Sequence, residues 1–520
     1  MAGIGKNVIE NLTEGMYENA YTVYREYIQN SADSIDKAIK EGVLIEDEGI
    51  VDIDINPSKR RVSIHDNAYG INESNFYKIL TDIADSTKDA SSNKGFRGIG
   101  RLAGLAYCEK LIFRSSAKGE TSISILEWNG NKLREILGDN TQHPSASELI
   151  DSIITYRKED CDKEEHFFEV IMENIIKESD NLLDEHEVIK YLQAVAPVPY
   201  VNTFIFKSKI HDFAKENGFK IDEYYISVNG NQLLKPFKIK LYEGTESEKK
   251  PYDEINDVEF HILTSKAGNQ LGWLWFGVTK FEKQIPVINE MRGIRLRKEN
   301  IQIGDDTTLN RYYKEPRGSL YFIGELFATN DKLLPNARRD NFKLNSTFAE
   351  FEETLKPYLF TDLSNLYRQA NEFKKATQKV ADYQNKVKEF NEKNLNAGFI
   401  NNEEKEKAQK ALEEQKNAAE EAQKKIERKQ HDAENDNNSI YQRVFKQIED
   451  TYKPKTDISN EKSSNISNNE SDKKFLTQKL SKYNKQEQKL ISRIYNIIKL
   501  VLPNDMAEML VTKIQEELQK

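Results

Sequence analysis

The chain has 520 residues, a formal net charge of -10, 38% hydrophobic residues and 31% charged residues. A chain this long exceeds one hydrophobic core and predicts about three or four domains. The polar composition predicts that part of the chain is elongated helix or disorder rather than packed core. The negative charge argues against a surface covered throughout by nucleic acid, although it leaves room for a local basic patch.

The cysteine content and the apolar runs indicate the compartment. The two cysteines, Cys108 and Cys161, lie far apart and in no metal-ligand spacing, so we expect reduced thiols in the cytosol. Residues 1–29 lack the apolar core of a signal peptide. No apolar run approaches the ~18 residues of a membrane span. We therefore expect a soluble, cytoplasmic protein without a membrane partner.

The first 360 residues predict two domains that contain strands. Residues 1–195 mix helical periodicity with β-rich runs such as VDIDI and RVSIHD, which predicts an α/β or α+β domain. Pro197 and Pro199 mark a boundary because proline disfavours helix at its own position and just before it. Residues 196–360 contain strands such as LGWLWFGVTK and predict a second α/β domain, the middle domain.

Residues 361–430 predict a helical coiled-coil hairpin. Apolar or small residues alternate three and four apart from Phe373 to Phe390, the spacing of a coiled-coil seam. A turn containing Gly398 separates this helix from a second helix rich in Ala, Glu and Lys. A single solvated helix without a partner is the alternative. Residues 431–472 are rich in Asn, Ser and Asp and predict a flexible linker.

Residues 473–520 predict two amphipathic helices on either side of Pro503. Helices this short bury both apolar faces poorly on their own. We therefore expect a C-terminal helical module for self-association or docking, and with it a homodimer.

The first candidate site lies in the segment YREYIQNSADSIDK, residues 24–37. On a helix, Glu26, Asn30 and Asp33 are four and three residues apart and project from one face. The side-chain oxygen of Asn30 suits magnesium, a hard cation that prefers oxygen ligands. Glu26 can polarise a water molecule aimed at a phosphate. An ordinary surface helix would show the same spacing.

The second candidate is the strand RVSIHD, which ends at Asp66 and is followed by a turn that contains Gly70. A carboxylate at a strand end can accept a hydrogen bond from the amino group of adenine, and glycine permits close approach of the backbone to a base. A commonplace hairpin turn is the alternative.

The third candidate is a glycine-rich stretch in which Gly95, Gly98 and Gly100 precede an apolar helix from Leu102. Free backbone N–H groups at a helix start form an anion site, and Arg97 adds positive charge. A plain flexible loop is the alternative. The spacing excludes a Walker-type P-loop and the dinucleotide-binding fingerprint. The preceding segment, residues 81–93, is polar and small, as a mobile lid would be.

Taken together, the order and spacing of these segments resemble the GHKL superfamily of gyrase, heat-shock chaperone, histidine-kinase and MutL ATPases. The run from Glu26 to Lys37 is similar to the first ATP motif of the ninety-kilodalton heat-shock chaperones and of MORC proteins. Asp66–Gly70 is similar to the second motif and Gly95–Gly104 to the glycine-rich lid motif. The resemblance covers residues 10–195 well and the middle domain loosely. It implies an α+β fold that begins with a Bergerat-type ATP-binding α/β sandwich and takes ATP and Mg²⁺.

The resemblance also implies a role for each matching residue. Glu26 would be the water-activating base, Asn30 the magnesium ligand, Asp33 a neighbour of the nucleotide and Asp66 the residue that reads adenine. Gly95, Gly98 and Gly100 would hold phosphates, and Lys88 stands where relatives carry a lid lysine. The further positions of the motifs that would line the nucleotide are Gly70, Phe96, Arg97 and Ile99.

Two positions depart from the family pattern. Ala68 stands where the second motif usually has glycine, so the turn is expected to differ. The threonine that relatives place on a late strand beside adenine is not evident, and Phe167 and Phe168 occupy the corresponding position.

The middle domain adds two basic segments. The loop Leu334–Phe342 resembles the loop from which the chaperones' middle domain extends an arginine to the terminal phosphate. Either Arg338 or Arg339 would fill that role, and a basic surface loop is the alternative. The run Met291–Lys298 alternates basic and apolar residues, which predicts a half-buried edge strand that faces nucleic acid, a partner or only solvent.

We therefore expect an ATP-gated clamp. ATP would pair two N-terminal domains around a DNA or protein client, and turnover would be slow because conformational steps limit it. The alternatives are a protein-remodelling chaperone and an ATP-switched component of a bacterial defence or restriction-type assembly. No histidine on a preceding helical pair could accept a phosphoryl group, so a histidine kinase is not expected.

Overall fold

The computed structural model describes residues 6, 19–82, 100–139, 141–395, 398–399, 402–435, 439–452, 480 and 482–518. The chain divides into two compact units. The first comprises Met1–Thr279 and Lys283–Asn365, and the second comprises Lys280–Glu282 and Leu366–Lys520. The first unit contains the three candidate segments and the loop Leu334–Phe342, which we call the arginine loop. It is therefore the unit that holds the candidate nucleotide site.

The first unit begins with strands and helices in an α+β arrangement that runs to residue 232, past the boundary expected at residue 195. The strands are β1 (Ile50–Asn56), β2 (Arg61–Asp66), β3 (Cys108–Ser116), β4 (Ser122–Asn129), β5 (Ile154–Asp160), β6 (Phe167–Ile175), β7 (Tyr225–Val228) and β8 (Asn231–Gln232). The helices are α1 (Thr22–Lys40), α2 (Glu73–Thr81), α3 (Gly130–Gly138), α4 (Ala146–Ile153), α5 (Glu185–Val195) and α6 (Lys207–Glu216).

Within the described residues these strands form one sheet in the order β5-β4-β3-β6-β2-β1-β7-β8. Neighbours are antiparallel except β1 and β7, which are parallel. Burial alternates along β1, where Val51, Ile53 and Ile55 face the core, because successive side chains of a strand point to opposite faces. Helix α1 packs Val23 and Tyr27 into the same core and carries Glu26 on another face.

The middle-domain sheet follows in the same unit. Its strands are β11 (Asp257–Thr264), β12 (Gln270–Val278), β13 (Gly293–Lys298), β14 (Ile301–Gln302) and β15 (Ile323–Ala328), in the order β11-β12-β15-β13-β14, and α7 (Ser346–Pro357) comes after β15. A separate pair comprises β9 (Lys240–Glu243) and β10 (Lys250–Glu254).

The basic run in this sheet differs from its prediction. Strand β13 lies between β15 and β14, and all six of its residues are buried, so the expected half-buried edge strand is wrong. The cations are buried because they have partners: Arg297 pairs with Glu325, and Lys298 donates to the Asn330 carbonyl at 3.0 Å. These partners come from distant segments, which the alternation of residue types does not reveal.

The second unit is helical. Its helices are α8 (Ser364–Leu395), α9 (Asn402–Asn435), α10 (Ser439–Tyr452), α11 (Lys485–Val501) and α12 (Asn504–Glu517). Helices α8 and α9 contact one another where Lys425 and Lys429 pair with Glu372. The expectation of a flexible linker does not hold for α10, because Phe445 stacks on Phe373 with ring centroids 4.1 Å apart.

The C-terminal helices α11 and α12 share a small apolar core around Tyr495 and Val511. The opposite face of α11 leaves Leu490, Ile494 and Ile497 exposed. Among the described helices, none is long and apolar enough to cross a membrane.

Candidate functional site

Glu26 is one of the buried residues among the predicted site residues on α1. Its side chain is 10% exposed, and its Oε1 atom lies 3.4 Å from Nε of Arg339 and 3.6 Å from Nη2 of Arg25. That oxygen accepts no hydrogen bond within the described part of the chain. A Cβ atom added to Gly100 would lie 2.3 Å from Oε2. The carboxylate therefore sits between two guanidinium groups and the bare backbone of a glycine.

The other polar residues on this side of α1 follow from helix spacing. Asn30 is half-buried and Asp33 is buried, and both lie within the uninterrupted helix Thr22–Lys40. Residues three and four apart are neighbours on a helix surface, so α1 brings Glu26, Asn30 and Asp33 onto one face. A carboxylate and a carboxamide one turn apart form an oxygen-rich surface that suits a hard cation and a water molecule.

Asp66 ends β2 and is 1% exposed. Its Oδ1 atom accepts a hydrogen bond from the Ala68 backbone N–H at 3.2 Å. The turn takes its positive φ of 69° at Gly70, and Ala68 is not among the described residues with positive φ. An alanine is therefore accommodated where relatives have glycine. An alanine in place of Gly70 would not be accommodated, because its Cβ atom would lie 2.1 Å from the Ser116 carbonyl oxygen.

The sheet register determines what stands beside Asp66. Phe168 on β6 pairs directly with Asp66 on β2, and its ring stacks on Phe113 with centroids 6.0 Å apart. On the far side of β6, Ser115 pairs with Phe168 and accepts a hydrogen bond from the Ile71 N–H at 2.8 Å. Phe168 is therefore the cross-strand neighbour of Asp66, in the region where the sequence already showed phenylalanine instead of the threonine of relatives. No sequence pattern pointed to Ser115, because only the strand register shows that it pairs with Phe168, the residue that in turn pairs with Asp66.

The glycine-rich lid is described only in part. Lys88, Gly95, Phe96, Arg97, Gly98 and Ile99 lie outside the described residues. Gly100 begins a 3₁₀ helix, Gly100–Ala106, in place of the expected start of a longer apolar helix. The Tyr27 hydroxyl fixes this segment to α1, since it donates to the Arg101 carbonyl at 3.0 Å and accepts from the Gly104 N–H at 3.0 Å.

The arginine loop contacts two neighbouring residues of α1, Arg25 and Glu26. The Arg338 side chain is exposed, and its backbone carbonyl accepts a hydrogen bond from Nη2 of Arg25 at 3.3 Å. The Arg339 side chain is buried and reaches Glu26, while its backbone has a positive φ of 54°. The structure thus brings the side chains of Glu26 and Arg339 together, whereas Arg338 contacts Arg25 through its backbone carbonyl.

These features fit a magnesium-bound nucleoside triphosphate. The buried Oε1 atom of Glu26, which accepts no hydrogen bond from the described residues, suits a water molecule. The amide oxygen of Asn30, one turn away, suits a hard cation. The bare backbone of Gly100, where a Cβ atom would collide with the carboxylate, suits a closely approaching phosphate. The buried Asp66 carboxylate lies at a strand end, where it can accept a hydrogen bond from an exocyclic amino group.

Comparison with known families agrees with this geometry. Residues 17–161 match the family described as "Histidine kinase-, DNA gyrase B-, and HSP90-like ATPase". The match supports the GHKL superfamily for this part of the chain, and with it ATP binding and hydrolysis. Glu26, Asn30, Asp33, Asp66, Gly70 and Gly100 all lie inside the matched residues.

Proposed function

We propose that this protein is an ATP-gated clamp, which binds ATP and Mg²⁺ in its N-terminal domain, hydrolyses ATP slowly and uses the cycle to pair two copies around a client. One observation carries the hydrolytic part of the proposal. Arg339, from a loop after the middle-domain sheet, lies 3.4 Å from the carboxylate of Glu26 on the first described helix of the ATPase domain. A cation and a carboxylate from distant segments of the chain thus lie side by side, an arrangement that supports catalysis of phosphoryl transfer at this place.

In this proposal Glu26 is the general base. It accepts a proton from the attacking water as the water oxygen bonds to the γ-phosphorus, and the bond from that phosphorus to the ADP oxygen breaks. Arg339 neutralises the charge that develops on the transferred phosphoryl group. Asn30 would hold Mg²⁺, which supplies charge neutralisation along the phosphates when it is bound. Asp66 accepts a hydrogen bond from the adenine amino group, and Gly100 allows close approach of the phosphates.

The contact between Arg339 and Glu26 also bears on timing. The guanidinium of Arg339 lies 3.4 Å from the carboxylate of Glu26 and is its near neighbour before any nucleotide arrives. A γ-phosphate offers Arg339 a second anionic partner. Its arrival would draw Arg339 away from the carboxylate and leave Glu26 free to take the proton from water.

The clamp and its client rest on other features. The exposed apolar face of α11, with Leu490, Ile494 and Ile497, supports a homodimer held by the C-terminal helices. Because Arg295 and Arg297 are buried, β13 does not offer these cations to nucleic acid. The test below distinguishes a DNA client from a protein client. A heat-shock-type remodelling chaperone is the protein-client form of the same proposal.

The test uses the full-length protein and its Glu26→Ala variant. The variant should bind ATP with affinity close to that of the parent and hydrolyse it about a hundredfold or more slowly, because binding is retained while the base is lost. Hydrolysis at the parent rate would remove Glu26 as the base. With ATP, the stalled variant should retain its client. Salt-sensitive capture of double-stranded DNA would indicate a DNA clamp. Suppression of the aggregation of an unfolded protein, without DNA capture, would indicate a protein client.

A further inference from the structure

The turn that follows β14 holds the backbone of the arginine loop. The Gly304 N–H donates a hydrogen bond to the Arg339 carbonyl at 2.8 Å. Gly304 has a φ of 67°, and a Cβ atom at this position would lie 2.0 Å from Oγ1 of Thr308 and 3.0 Å from the backbone oxygen of Asp340. The bare backbone of Gly304 therefore contacts the backbone of Arg339, and no space is left for a side chain beside Thr308 and Asp340.

Arg339 adopts a backbone conformation that needs such support. Its φ of 54° lies in the left-handed region, which costs a non-glycine residue on the order of 1 kcal/mol. Strain of this kind persists only where surrounding contacts determine the backbone. The Arg339 carbonyl accepts from Gly304, and its N–H donates to the Asn336 carbonyl at 3.3 Å, so both of its backbone polar groups are held.

The strand pair that carries Gly304 is tied to the ATPase domain. Nη2 of Arg297 on β13 donates to the Ala194 carbonyl on α5 at 2.9 Å, and Nη1 donates to the Asn300 carbonyl at 3.0 Å. The same guanidinium pairs with Glu325, which also contacts Lys235 at 3.0 Å. All three charged side chains have no exposed surface. A buried network with these contacts rigidifies the structure around it.

These contacts form a continuous path from α5 through Arg297 and β14 to Gly304 and Arg339, and so to Glu26. We propose that Gly304 is a positioning residue that holds Arg339 in place for the proposed hydrolysis of ATP. This inference rests on the proposed role of Arg339 and goes beyond it, since Gly304 would act only through its hydrogen bond to the arginine loop.

The experiment compares Gly304→Ala with Gly230→Ala in the full-length protein. Gly230 has a φ of 78° and nothing within 4 Å of an added Cβ atom, so both variants carry the cost of positive φ but only Gly304→Ala pushes on the arginine loop. We expect Gly304→Ala to lower kcat about tenfold or more, since small misplacements of a catalytic group are costly, with the affinity for a non-hydrolysable ATP analogue within about twofold of the parent. Gly230→Ala should hydrolyse ATP at the parent rate. Equal kcat values for the two variants would overturn the inference.

A double-mutant cycle separates positioning from a general folding defect. If Gly304 acts through Arg339, then Gly304→Ala should cause no further loss of kcat in an Arg339→Ala background. Additive losses would overturn the inference. Unchanged kcat in Arg339→Ala alone would instead defeat the proposed role of Arg339, so the two failures are distinguishable.

A milder variant serves if Gly304→Ala does not fold. Nε2 of Gln302 donates to the Gly304 carbonyl at 3.1 Å, and Gln302→Met removes this hydrogen bond without adding bulk beside the loop. We expect a smaller loss of kcat in the same direction, again with unchanged analogue affinity and again absent in the Arg339→Ala background. A parent-like kcat in this variant would count against the inference.

Discussion

The Nε atom of Arg339 lies 3.4 Å from the Oε1 atom of Glu26, and the side chains of both residues are 10% exposed. The two residues come from distant segments of one compact unit and share one buried location. Their distance distinguishes Arg339 from its neighbour Arg338, whose side chain is exposed and whose contact with α1 is made by its backbone carbonyl. The first prediction uses this difference.

Replacement of the two arginines should have unequal effects. We expect Arg339→Ala to lower kcat for ATP on the order of a hundredfold, because the developing phosphoryl charge loses its cation. Arg338→Ala retains the backbone carbonyl that Arg25 contacts and should stay within about threefold of the parent. Steady-state phosphate release measures both. A larger loss in the Arg338 variant would show that the other arginine reaches the phosphate.

Asp66→Asn should weaken nucleotide binding rather than turnover of bound nucleotide. The amide can present an N–H group where the carboxylate accepts, and an unmatched buried polar group costs about 1–3 kcal/mol, or about fivefold to 150-fold in Kd. Isothermal titration with a non-hydrolysable ATP analogue gives the affinity. Asp54→Asn, on the exposed side of β1, is the control and should bind like the parent. Equal affinities in all three proteins would place adenine elsewhere.

Gly70→Ala should destabilise the fold more than Gly119→Ala. Both glycines have positive φ, 69° and 92°, but only at Gly70 would a Cβ atom meet backbone, 2.1 Å from the Ser116 carbonyl oxygen. The shared conformational cost is about 1–2 kcal/mol, and the collision adds about 1–3 kcal/mol. Urea unfolding followed by circular dichroism compares the free energies of unfolding. If the two variants unfold alike, the turn after Asp66 does not pack against β3 as described.

The buried Glu325 should make stability depend on pH in acid. Burial alone would raise the pKa of this carboxyl, but the cations of Arg297 and Lys235 outweigh burial and lower the pKa from 4.5 to about 2. Since the folded state binds the proton more weakly than the unfolded state, the stabilisation from Glu325 is complete above pH 4.5 and is lost as the pH falls towards 2.

The variant Glu325→Gln tests this dependence. It should be less stable at pH 7 by about 3–5 kcal/mol, because two buried cations lose their counter-ion. Its stability should also fall less steeply than that of the parent between pH 4.5 and 2. Urea unfolding at several pH values measures both effects, with the exposed Glu248→Gln as control. Parallel pH profiles for Glu325→Gln and the parent would contradict the assigned pKa direction.

Ile494→Glu should weaken self-association. Ile494 lies on the exposed apolar face of α11 and is 44% exposed, so a charge there would be desolvated in a dimer and tolerated in a monomer. Sedimentation equilibrium of the parent and the variant gives the dimer dissociation constant. Leu395→Glu, at the end of α8 where Leu395 is exposed, is the matched control and should associate like the parent. A monomeric parent would contradict the C-terminal dimer.

Several features were predictable from the sequence because they depend on residues close together in the chain. The spacing of Glu26, Asn30 and Asp33 predicts one helix face, and the three residues lie within α1. The run RVSIHD predicts a strand that ends at Asp66, and β2 has these bounds. The family match over residues 17–161 supports, for this part of the chain, the superfamily that the motifs indicated. The roles of the individual site residues, and the clamp itself, stay predictions.

Other features could not be predicted because they depend on partners far along the chain. The alternating pattern of β13 suggested an edge strand, yet Arg297 is buried against Glu325 on a later strand. Part of the expected linker forms the helix α10, in which Phe445 packs on Phe373 of an earlier helix.

The amino-acid sequence by itself determined which residues share the polar face of α1, because helix periodicity is local and needs no further contact. Tertiary structure alone decided that Arg339 rather than Arg338 reaches Glu26 and that Phe168 faces Asp66. The physical reason is that strand register and the docking of a distant loop follow from the packing of the whole unit, which no spacing within one segment encodes.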